Sequence, residues 1–301
     1  MKILIIILSI FSFGLIAQQD IQNSFYMFNP SVLNPAYVGS RDALSILVDY
    51  RNQWSGWKGA PKTCNITAHT PLVNDAIGIG FNITQERIGP SDMSRIFADY
   101  AYRIKLNKNN DRLCFGLRAG LNIIKNRYAD LEIVNSSDPI LYSSFNVNLF
   151  NFGSGIYYYG KRHYVGLTIP EIIPLKASVN QVVISRQVPH AYLIGGYIWS
   201  LNSLWQFKPS VCLKYALNAP ITIDGNVSFL FNEKIWFGLM YRYGNAVGAN
   251  FVYQITTKMR LGYAYDYSLT NMGRYNPNTH EIMIGFDFNK PDRIIKSPRY
   301  F

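Results

Sequence analysis

The stretch LCFGLRAGLNI, Leu113 to Ile123, decides the fold. Leu113, Phe115, Leu117, Ala119, Leu121 and Ile123 fall on one side of an extended chain. Cys114, Gly116, Arg118, Gly120 and Asn122 fall on the other. A period of two is the signature of a strand with two different faces. The run is too long for an ordinary strand of about 5 or 6 residues, and suits a tilted strand that crosses a bilayer in about 9–11. The large apolar side chains share one face, while the opposite face carries Gly, Asn and Arg. Such a face makes a poor dry core and a good hydrated lumen.

The same pattern recurs outward from this stretch. Ile77, Ile79, Phe81 and Ile83 alternate with Gly78, Gly80 and Asn82. Further on, Ile235, Phe237, Leu239 and Tyr241 alternate with Gly238, Met240 and Arg242, and Met259, Leu261, Tyr263 and Tyr265 alternate with Arg260, Gly262 and Ala264. The spacing predicts an all-β fold, a transmembrane antiparallel β-barrel of about 14 strands. Its strands start near Asp42, Lys62, Ala76, Asp92, Asp111, Val147, Arg162, Val188, Leu204, Pro220, Ile235, Ala246, Lys258 and Asn278. Every second connection is tight, as at Asn232-Glu233-Lys234 and Thr256-Thr257. Several of the others are long, as at Trp54 to Pro61, Asn126 to Asn146, Glu171 to Gln187 and Leu269 to Pro277. Short turns on one side and long loops on the other orient a barrel in the bacterial outer membrane, with the long loops outside.

Composition agrees. Charged residues make up 16% of the 301-residue chain against roughly 25% in a soluble domain, and Tyr and Phe number 22 and 18. Residues 1–17 read as a signal peptide, with Lys2, an apolar stretch from Ile3 to Ile16 and the small Ala17. Residues 42–289 form the expected barrel. Residues 18–41 lack alternation and are expected on the periplasmic side or folded up into the lumen as a plug. The basic tail 290–301 is expected in the periplasm. The net charge of +11 is compatible with an acidic or lipid partner, while export and the lack of any recognition motif argue against nucleic acid. Cys64, Cys114 and Cys212 are odd in number and widely spaced, which supports neither a disulfide framework nor a metal site.

The segment YMFNPSVLNPAYVGS, Tyr26 to Ser40, followed by YRNQWSGWKGAPKT, Tyr50 to Thr63, resembles the start of the PorP/SprF family of Bacteroidetes outer-membrane proteins. The tripeptide IGP at Ile88 to Pro90 and the ending SPRYF, Ser297 to Phe301, are similar too. The resemblance implies a role with the type IX secretion system. Members of that family either belong to the core machinery, linking the outer membrane to periplasmic ring and peptidoglycan-binding components, or pair with a large secreted adhesin. The second kind helps export the adhesin and holds its C-terminal domain at the surface, with gliding motility as one outcome. No catalytic residue is implied.

Within the motif block, Tyr26, Phe28, Asn29, Pro30, Asn34, Pro35, Tyr37, Gly39, Tyr50, Arg51, Gln53 and Trp54 are candidate partner contacts. Asn29-Pro30 and Asn34-Pro35 are turn formers, read first as a pair of turns that set the entry into the first strand and otherwise as a lumen plug or periplasmic docking element. Trp54 and Trp57 suit an interfacial belt or a partner contact. By alternation Asp49, Arg51, Arg95, Asp99, Arg103, Lys105, Arg118, Lys208, Lys214, Asp224, Arg242, Arg260, Asp266, Glu281 and Asp287 point inward. Opposite charges in a narrow lumen are expected to pair, either as structural filling or as the wall of a channel or binding cup. His69, His163, His190 and His280 lie in no HExxH or Ser-His-Asp context, so no catalytic, cofactor or metal site is expected. Two readings therefore stand: a non-enzymatic secretion and anchoring barrel working through protein partners, and a general or solute-specific porin.

Overall fold

The computed structural model of the protein describes residues 22–72, 75–108, 110–127, 144–179, 182–271, 273, 275–276 and 278–289. The expected signal peptide and the basic tail lie outside the described residues.

Among the described residues, seventeen strands follow one another. They are β1 (Ala43–Asn52), β2 (Lys62–Pro71), β3 (Ile77–Ile88), β4 (Ser91–Lys105), β5 (Arg112–Arg127), β6 (Ser144–Tyr159) and β7 (His163–Ile169). Then come β8 (Leu175–Val179), β9 (Val182–Gln187), β10 (His190–Tyr197), β11 (Trp199–Ser200), β12 (Trp205–Ala216) and β13 (Thr222–Phe231). The last four are β14 (Ile235–Arg242), β15 (Ala246–Gln254), β16 (Met259–Ser268) and β17 (Asn278–Asn289). Each barrel strand pairs antiparallel with its neighbours, β1 pairs with β17, and β10 bridges β7 and β12. The result is a closed antiparallel barrel of 14 strands, with β11 as one extra short strand against β12. Closure leaves no unpaired edge, which hydrocarbon would not tolerate.

The register explains the alternation read in the sequence. Val48, Ile66, Ile83, Ile96, Leu121 and Phe150 are successive cross-strand partners over β1 to β6. They form one apolar row on the outer wall, and Leu117, Phe150 and Leu239 are 64–70% exposed there. One end of the barrel carries tight turns. At Asn232-Glu233 both residues have positive φ, 49° and 54°, and the Lys234 N–H donates to the Phe231 carbonyl at 3.0 Å. That backbone twist matches the twist of the strands it joins.

One feature departs from the sequence reading. The connection expected as loop from Glu171 to Gln187 contains the hairpin β8–β9, a separate two-stranded sheet. Its strands are too short to cross a bilayer, and five or six residues carry little alternation. The lumen also holds the buried apolar core. Phe25, Tyr26, Met27, Phe28, Ala36 and Tyr37 pack there against Tyr157, Tyr164, Tyr192, Ile194 and Trp236 of the wall. A purely hydrated interior is therefore replaced at mid-height by side chains of the N-terminal segment.

Candidate functional site

Residues 22–42 run through the barrel from end to end. The first described residue, Gln22, accepts from Arg242 Nη1 at 2.9 Å, and Arg242 closes β14 at the long-loop end. Deeper in, the Ser24 N–H donates to Glu281 at 2.9 Å and its hydroxyl donates to Asp266 at 2.7 Å. Lower still, Arg118 of β5 donates to the carbonyls of Val32 and Ser31 at 2.8 and 2.7 Å. At the short-turn end Arg41 grips Asp287 of β17 with two hydrogen bonds, at 3.1 and 2.6 Å. The chain then turns directly into β1.

The two Asn-Pro pairs shape this segment. Pro30–Val32 and Pro35–Tyr37 are single 3₁₀ turns, each with proline at its start and asparagine before it. Proline fixes φ for the turn and lacks the N–H that would go unpaired there. The Asn34 side chain accepts from the Ala36 N–H at 2.9 Å and donates to the Ile156 carbonyl of β6 at 3.1 Å. Asn29 donates to Asp49 at 3.4 Å and accepts from Thr67 at 3.1 Å. Both asparagines thus stand at the start of a turn and tie it to the wall.

The wall is cut to fit. A Cβ at Gly116 of β5 would stand 2.1 Å from the Ala36 nitrogen, and one at Gly78 of β3 would stand 2.1 Å from the Val38 carbonyl oxygen. Any side chain there would exclude the segment. Gly39 itself has φ +77°, its N–H donates to His69 Nδ1 at 3.2 Å, and its carbonyl accepts from Arg103.

The inward charges form three groups. Near the long-loop end, Arg51 bridges Asp266 and Glu281 at 2.8 and 2.9 Å, while Arg242 meets Asp224 at 3.0 Å and Asp266 at 4.0 Å. On the opposite wall Arg118 meets Asp99 at 2.7 Å, and Asn82 also donates to Asp99. At the short-turn end Asp287 lies between Arg41 and Arg260, at 2.6 and 2.5 Å. Asp49 is held by Asn65 at 2.6 Å, and Arg95 approaches Glu171 at 3.3 Å. Lys208 is buried within 5.4–5.6 Å of the ring centres of Phe28, Tyr164 and Trp236, and a cation over aromatic faces is stabilised without a carboxylate.

The motif residues divide. Tyr26, Phe28, Asn29, Pro30, Asn34, Pro35, Tyr37 and Gly39 lie buried in the lumen, and Arg51 reaches in to donate to Ser24 at 2.6 Å. Tyr50 points outward, 44% exposed. Gln53 and Trp54 sit at the long-loop rim, where Trp54 lies 6.4 Å from Trp57 between ring centres and Trp57 lies 6.4 Å from Tyr275. Lys105 of the inward set is exposed at the short-turn rim. Strand alternation offered no signal for Gln22, Ser24, Arg41 or Glu171, which lie outside the strands.

Between the segment and the long-loop mouth lies a cavity of about 270 Å³. Gln22, Asn23, Tyr26, Val32 and Leu33 of the N-terminal segment face it from one side. Across from them stand Arg95, Arg118, His190, Lys214, Asp224 and Arg242 of the wall and Glu171 of the loop before β8. Apolar and polar groups of both signs line it, a surface suited to an amphipathic guest such as a piece of polypeptide. Among the described residues, no three of His, Cys, Asp and Glu come together as metal ligands.

Comparison with solved structures finds outer-membrane barrels. The Ralstonia pickettii toluene transporter TbuX matches with a TM-score of 0.52 at 10% identity, over 89% of this chain and 94% of that one. The monoaromatic hydrocarbon channel CymD matches with a TM-score of 0.51 at 10% identity, over 92% and 96%. At such identity the likeness concerns the fold. No curated protein sequence matches the chain significantly. The model of the type IX secretion system membrane protein PorP/SprF matches residues 15–286, nearly the whole length. With that match, the motif block between Tyr26 and Thr63 takes its place, and the chain belongs to the PorP/SprF family of type IX secretion system membrane proteins.

Proposed function

We propose that this barrel works in the outer membrane as a non-enzymatic holder of a secreted protein, with its long loops and lumenal cavity facing the cell surface. The observation that carries the reading is the course of the N-terminal segment. It crosses the lumen on hydrogen bonds to Asp266, Glu281, Arg118 and Asp287, and leaves a cavity on the long-loop side. A cup of this kind suits capture of a chain segment better than passage of solute.

The partner on this reading is a secreted adhesin-like protein held through its C-terminal domain, in support of surface attachment or gliding. Pairing with periplasmic ring or peptidoglycan-binding components is the other family role, and it would use the short-turn end. The long-loops-out orientation puts the end of β17 on the periplasmic side. It puts Gln22, the first described residue, at the surface-side mouth of the lumen. Deleting the gene and comparing surface proteomes tests the function. Loss of one large surface protein supports the holder, loss of many exported proteins points to the core machine, and an unchanged surface overturns both. The porin alternative is tested by single-channel conductance, where a large steady current would favour it.

A further inference from the structure

On the outer wall, Lys62, Arg87, Asp92 and Lys125 are successive cross-strand partners over β2 to β5. Cross-strand partners share a face, so all four project away from the lumen. Arg127, one outward position beyond Lys125, joins them. Asp92 receives Arg87 at 2.6 Å and Arg127 at 2.6 Å. Arg87, Lys125 and Arg127 thus gather around one carboxylate, with Lys62 on the next strand beside Arg87.

Their height is set by β5. Its outward residues from Leu113 to Ile123 are all apolar, and the charges begin at Lys125. Ten residue steps at roughly 3.4 Å, on a strand tilted about 40°, rise about 26 Å, close to the roughly 25 Å apolar band of an outer-membrane barrel. Lys125 therefore stands at the headgroup level of the long-loop leaflet. The opposite sector lacks such a cluster: there Ile223, Tyr241, Val247 and Tyr267 occupy the outward positions near the same rim.

We propose that Arg87, Lys125, Arg127 and Lys62 form a binding site for the phosphate of an outer-leaflet glycolipid headgroup. Arginine and lysine supply the charge-assisted donors that phosphate oxygens accept, and Asp92 holds two of the guanidinium groups in place. The acyl chains of the lipid lie along Ile66, Ile83 and Ile96 below. The inference depends on the barrel and its orientation, and stands apart from any protein partner.

The test uses the full-length protein folded in detergent. Bisphosphorylated lipid A, fully dephosphorylated lipid A, phosphatidylcholine and inorganic phosphate are offered in turn, and retention is read by native mass spectrometry. Lipid A should be retained at least tenfold better than its dephosphorylated form, and millimolar inorganic phosphate should not displace it. The double variant R87Q/K125Q should lose that tenfold preference, and R87K/K125R should keep it. Equal retention of the dephosphorylated lipid overturns the proposal without any variant. So does displacement by inorganic phosphate, or a folded R87Q/K125Q protein that binds like wild type.

Discussion

Gly116 lies so close beneath Ala36 that a single added methyl group would stand 2.1 Å from the Ala36 backbone nitrogen. The lumenal segment can occupy its path only because β5 offers bare backbone there. Gly116→Val should therefore displace the segment and cost about 1–3 kcal/mol or more by overpacking. Gly225→Ala, where the nearest atom is 4.0 Å away, should be neutral. Thermal unfolding in detergent, followed by heat-modifiable gel mobility, separates the two. Equal midpoints would show that the segment does not rest on Gly116.

Asp287 offers a second test. It lies between the buried Arg41 and Arg260, and without it both guanidinium groups lose the carboxylate they share. Asp287→Ala should destabilise the barrel by about 3–5 kcal/mol, the range for breaking a buried pair from one side. Asp92→Asn, at the exposed outer cluster, should leave the unfolding midpoint unchanged within error. Denaturant titration of both variants checks the contrast.

Conductance probes the lumen itself. Wild-type protein in a planar bilayer should be nearly silent, because residues 24–41 fill the mid-section. A variant lacking residues 22–41 should conduct steadily, at a level several-fold higher. Similar large currents from both proteins would make the porin reading the better one.

The path of the segment can be read in intact cells. A cysteine at Gln22 should react with a membrane-impermeant maleimide added outside, because Gln22 borders the cavity at the long-loop mouth. A cysteine at Lys258, exposed in a short turn, should react only after the outer membrane is opened. The native Cys64, Cys114 and Cys212 would be replaced by serine or alanine first. The opposite pattern would put the long loops in the periplasm.

The wall of the barrel was legible in the sequence because its rule is local. Every strand start expected from alternation lies within a few residues of an observed barrel strand, from Asp42 beside Ala43 to Asn278. Residues such as Leu117 and Arg118 declare their faces by parity alone. The hairpin β8–β9 was missed for the same reason, since parity over five or six residues is a weak signal.

Inside the barrel parity runs out. It placed Asp287, Arg260, Arg118 and Asp99 inward, but could not say that Arg41 would claim Asp287 or that Ser24 would meet Asp266 and Glu281. Those contacts join positions more than 240 residues apart in the chain. Likewise the inward glycines looked like the lining of a wet channel, until the backbone of Ala36 and Val38 was seen against Gly116 and Gly78. The sequence by itself determined a lipid-facing strand wall, its strand count and the side with long loops, because bilayer and pleat impose a period of two on every strand. Only the tertiary structure decided that the N-terminal segment fills the lumen and leaves a cavity at one mouth, because closing the barrel brings distant charges and bare backbone around one non-periodic piece of chain.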